Sequence, residues 1–74
     1  MTAYLVIVLL LVPAADGKPL VTELHQSLAS ASSPEVCQRH ADRLADEQRR
    51  AHAETVRKTR GLVVGECRRL GSLT

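Results

Sequence analysis

The chain has 74 residues, room for one small domain, and a formal net charge of +2. Of its 33 apolar residues, 13 fall in Met1–Gly17, which leaves 20 for the other 57 positions, six of them alanine, and Tyr4 is the only aromatic side chain. A core this poor is marginal at this size and lacks the large rings that dominate small cores. It also cannot frame the pocket and rigid scaffold that catalysis needs, so no enzyme and no cofactor are expected.

The N-terminal run Tyr4-Leu-Val-Ile-Val-Leu-Leu-Leu-Val12 is nine apolar residues, followed by Pro13-Ala-Ala-Asp-Gly17. A membrane span of about 30 Å needs roughly 20 residues, so the run is too short to cross. Its length suits the apolar core of a secretory signal, with Ala15 and Gly17 as the small residues that a signal peptidase reads. Residues 1–17 are therefore expected to be removed after Gly17. The mature product would be secreted, extracellular and free of the membrane.

Residues 18–33 read as an N-terminal extension and linker: Leu20, Leu24 and Leu28 recur four apart, a short helical stripe, before Ala29-Ser-Ala-Ser-Ser33 dissolves into turn residues. The clearest start signal follows. Ser33 suits an N-cap, Pro34 the first helical position, and Glu35 the positive end of the helix dipole. Helix formers then run to about Arg60, with opposite charges four apart in Glu35 and Arg39, Arg43 and Glu47, Asp46 and Arg50, and Glu54 and Lys58. The helix that these residues favour thus runs from Pro34 toward Arg60. Its apolar face is thin, offering Val36, Cys37, Ala41, Leu44, Ala45, Ala51 and Val56, so it cannot hold a fold alone. Gly61 is the natural stop. The segment 61–74 opens with Leu62-Val-Val64, is interrupted by glycine, and needs a partner surface.

Between Arg39 and Arg60, eleven of 22 residues are charged with the signs interleaved. Such a pattern is a solvated helix and has neither the single-sign patch nor the stacking rings of a nucleic-acid interface. His25, His40 and His52 lack metal-ligand spacing, and no metal is expected.

Secretion interprets the cysteines, because an oxidising compartment makes Cys37 and Cys67 natural disulfide partners. A continuous helix over residues 37–60 would span about 35 Å at 1.5 Å per residue. The seven steps from Arg60 to Cys67 reach back at most about 25 Å, while a disulfide brings the Cα atoms within roughly 7 Å. Either the helix breaks near Glu47 to His52, or the cysteines join two chains in a disulfide-linked homodimer.

Arg49-Arg50, Arg57-Lys58-Thr59-Arg60 and Arg68-Arg69 are basic sites of the kind processing proteases cut in secreted precursors. The cluster ending at Arg60 is the strongest, since a glycine and an abrupt change in composition follow it.

Signal, helix with a leading cysteine, basic cluster and then Gly-Leu-Val is a layout that resembles an insulin-superfamily precursor of the bombyxin type. Cys37-Gln-Arg-His-Ala-Asp-Arg-Leu-Ala-Asp46 is similar to that group's B-chain segment Cys-Gly-Arg-His-Leu-Ala-Asp-x-Leu-Ala-Asp with one residue deleted. Gly61-Leu-Val-Val-Gly-Glu-Cys67-Arg-Arg-Leu-Gly-Ser72 is similar to an A-chain start. Two of the family's six cysteines are present, and in this register they hold the positions that bridge B to A chain. The resemblance implies an all-α fold: a small secreted helical peptide, with insulin-like helices around one disulfide and a largely irregular C-terminal segment. It makes 34–50 a B-chain-like helix, 51–60 a short connecting segment with the basic cleavage cluster, and 61–74 an incomplete A-chain-like segment. It also implies a peptide hormone cut by processing proteases at Arg49, Arg50, Arg57, Lys58 and Arg60, then bound by an insulin-receptor-like cell-surface receptor through Gly61, Leu62 and Val63. The competing expectation is an unrelated secreted, disulfide-linked helical peptide, toxin-like or a structural dimer.

Overall fold

Tyr4, Val6, Ile7, Val8 and Val12 are β-branched or aromatic residues that favour extended backbone, and in the computed structural model, which describes residues 1–72, they belong to a strand. The elements run β1 (Thr2–Val12), β2 (Leu20–Ala31), α1 (Pro34–Ala51), α2 (Ala53–Thr59) and β3 (Leu62–Ser72). The strands form one antiparallel sheet in the order β2-β1-β3. The all-α expectation is thereby overturned, and so is the irregular C-terminal segment, which is β3; Leu73 and Thr74 lie outside the described residues.

The physical reasons are local. Leucines four apart fit a strand as well as a helix, because four is also a multiple of two. In β2 an extra residue, Leu24, breaks that row, since Val8 pairs with His25 and Leu9 with Glu23, and Leu20 opposite Val12 and Leu28 opposite Leu5 end on different faces. The stretch read as a linker after Leu28 contains the end of β2, where Ala31 is buried at 3% exposure. Pro13 to Gly17, read as a cleavage region, forms the β1–β2 loop. Gly17 takes a φ of 83° that its missing Cβ permits, its N–H donates to Ala14 O at 3.1 Å, and Lys18 N–H donates to Asp16 Oδ1 at 3.0 Å.

The helical start agrees with its residues: Ser33 is the N-cap and its Oγ accepts from Val36 N–H at 3.2 Å. The helix breaks at His52, whose backbone (φ −113°, ψ 27°) separates α1 from α2. From Cys37 to Ala51 the axis rises about 21 Å, close to the roughly 17 Å that Leu62 to Cys67 covers as strand. The turn made by α2 thus lets β3 return alongside α1. Arg60, not Gly61, takes the left-handed C-cap conformation at φ 57°.

α1 lies on one face of the sheet. Its buried residues Cys37, Ala41 and Ala45 fall four apart and meet Tyr4, Val6, Val8, Leu10 and Val63, with Leu44 and Val56 packed against them. Small side chains on the helix allow close approach. At Ala41 the approach is so tight that a Cβ on Gly65 would sit 2.4 Å from Ala41 O. No helix among the described residues is long and apolar enough to cross a membrane.

Candidate functional site

One turn into α1, Cys37 faces the middle of β3, where Cys67 lies opposite Val6. The two sulfurs are bonded within the chain, with Cα atoms 6.3 Å apart across a separation of 30 residues. Cys37 is 1% exposed. The open choice between an intrachain bridge and a covalent dimer is thus resolved, together with the break at His52.

Two further ties hold α1 to β3. Gln38 Nε2 donates to Gly65 O at 3.0 Å and to Asp42 Oδ1 at 2.9 Å. Arg49 Nη2 donates to Val63 O at 3.1 Å, while Arg49 Nη1 is paired with Asp46. Val63 and Gly65 belong to an edge strand, so these side chains satisfy carbonyls that a second strand would otherwise seek. Of the expected helix pairs, Glu54 and Lys58 close at 3.0 Å.

The opposite face of the sheet carries the feature that the packing leaves unexplained. Pairing partners share a face, so Ala3, Leu5, Ile7, Leu9 and Leu11 of β1 point away from α1. Ser30, Leu28, Gln26, Glu23 and Val21 of β2 flank them on one side, and Arg68, Glu66, Val64 and Leu62 of β3 on the other. Among the described residues no element covers this face. Leu28 is 74% exposed, and Val21 and Leu62 are each 58% exposed. Ile7 is buried by its neighbours within the face; Leu5, Leu9 and Leu11 are half-buried. Its charges are few: Arg68 Nε lies 3.3 Å from Glu66 Oε1, and Glu23 stands on the edge strand β2.

Protein-family models, curated proteins and solved structures give no match to this chain.

The residues singled out by sequence are scattered over this frame. Gly17 is in the β1–β2 loop. Arg49 and Arg50 stand in the last turn of α1, Arg57 and Lys58 in the last turn of α2, and Arg60 at its C-cap. Gly61 packs tightly, since a Cβ there would meet Leu10 Cδ1 at 2.7 Å. Val63 is core, in one cluster with Val8, Leu10 and Ala45. Leu62 alone of the three expected receptor contacts is presented to solvent. The open face does have a signal in the sequence: the β1 run is apolar at every position, where a strand covered on one side alternates.

Proposed function

We propose that this chain is a disulfide-stapled interaction module of an oxidising, extracytoplasmic compartment, and that it works through the open face of its sheet. One observation carries the reading. β1 is as apolar on the uncovered side as on the side packed by α1, and uncovered apolar faces of this kind mark surfaces that meet another molecule. The bridge supports such a compartment, since structural disulfides persist where the surroundings are oxidising. The scaffold supports such a role: a staple and two side-chain ties hold β3 in place, so the face is preorganised before contact.

The test is photo-crosslinking in the cells that make the protein. A photoreactive residue at Leu9 is expected to give a discrete adduct of higher mass, and one at Arg43, on the exposed side of α1, none. Identical behaviour at the two positions would sink the reading.

An insulin-like hormone precursor is the second reading, and one observation favours it. A cut after Arg60 falls between α2 and β3, and the released strand would stay joined through Cys37 and Cys67. Processing proteases and a cell-surface receptor would then be the partners. Its test is receptor activation by the oxidised chain before and after cleavage at Arg60, with Leu62→Asp as the control. Val63 cannot serve as that control, because an aspartate in the core would unfold the domain.

A further inference from the structure

Cutting a sheet's open face out of water requires an occupant of similar size and pattern, and this face matches itself. We propose that two copies of this chain pack their open sheet faces together, with the two-fold axis parallel to β1, as a four-layer dimer with both α1 helices outside. The inference rests on the open face being the working surface and names its occupant.

Area supports a second copy. About nine residues on each of three strands, at roughly 3.3 Å rise and 4.8 Å spacing, give a footprint of about 450 Å². Two pleated faces of that size remove on the order of 1,000 Å², about the area a biological interface must clear and below that of tight permanent ones, which suits a reversible dimer. A closed two-fold contact must also be self-complementary, and stacked sheets keep their strands within about 30° of each other.

The residues choose between the two axes that lie between the sheets. With the axis parallel to β1, each β1 residue meets its own image, so Leu5, Ile7, Leu9 and Leu11 make one apolar seam, and β2 lies over β3 of the second copy. The pairing rows then set Val21 over Leu62 of the second copy, Gln26 over its Glu66, and Leu28 over its Arg68. The Gln26 amide is a donor for that carboxylate, and the Leu28 side chain covers the Arg68 stem. By the same rows Glu23 lies over Val64 of the second copy, on the outer strand where its carboxylate reaches solvent at the edge of the contact. An axis perpendicular to the strands and centred on the face, through the Ile7 row, would instead stack Glu66 on its own image, placing like charges in a desolvated layer.

Sedimentation equilibrium of the oxidised full chain tests the arrangement. A reversible monomer–dimer equilibrium is expected, abolished by Leu9→Lys. Leu28 is 74% exposed, so substitution there leaves folding intact, checked by circular dichroism and by the mass of the bridged chain. Leu28→Lys sets a cation over Arg68 of the second copy and Leu28→Glu an anion, so the lysine variant is expected to dissociate at least about tenfold more readily. Equal dissociation of the two variants would overturn the register. A dimer indifferent to Leu9→Lys uses another surface, such as the free β2 edge, and overturns the proposal. So does a chain that stays monomeric but floats with phosphatidylcholine vesicles. A monomer whose Leu9 adduct contains a different protein overturns the dimer while the open-face reading stands; a monomer with no adduct overturns both.

Discussion

Gly65 and Ala41 mark the point where α1 comes closest to the sheet. A methyl group at Gly65 would lie 2.4 Å from Ala41 O, a backbone atom that moves only if α1 does. Gly65→Ala should therefore lower stability by about 2 to 3 kcal/mol, in the range of overpacked cores. Gly17→Ala meets open space and pays only for its φ of 83°, about 1 kcal/mol. Urea denaturation of the two variants separates these causes; equal losses would mean that the close approach is absent. Cys37→Ser, beside the same contact, removes the closure of a loop of 30 residues and should cost about 3 to 4 kcal/mol by chain entropy. Single residues were the most legible part of the chain. Ser33, Pro34 and Glu35 announce the start of α1 because capping is local chemistry, complete within one turn. The bridge could be posed but not decided, because reach along the chain bounds a disulfide without showing which way the chain turns.

At the scale of elements, β1 shows why the sheet was hard to see. A nine-residue apolar run bounded by Pro13 and small residues satisfies both a signal core and a strand, and periodicity cannot separate them when every position is apolar. β2 was hidden by leucines at a spacing that both periods share, with the extra Leu24 blurring the alternation. β3 was masked by glycines that read as breaks, yet Gly65 is there for α1 to approach. What decides all three is pairing across the sheet, a long-range relation that no window of sequence contains. The helical elements also govern protease access. Arg50 lies inside α1, beside an Arg49 bonded to Val63 O, whereas Arg60 is an exposed junction between α2 and β3. Limited trypsin digestion of the oxidised chain should cut after Arg60 well before Arg50, and give two fragments only after reduction. Cleavage at Arg50 first would show that α1 is not formed as described.

Over the whole molecule, the N-terminal run changes its meaning. Among the described residues, five of the ten that form the buried core, Tyr4, Val6, Ile7, Val8 and Leu10, belong to β1, which pairs with both other strands. A chain beginning at Lys18 would keep β2 and β3 with no strand between them and α1 with little to cover. Removal of residues 1–17 and this fold therefore exclude each other, and the open apolar face exists only if β1 is retained. The most direct test is the intact mass, with N-terminal sequencing, of the protein purified in oxidised form from the cells that make it. Retention of Tyr4 through Val12 with one internal disulfide is the predicted result. A stable, oxidised product whose first residue is Lys18 would contradict the account.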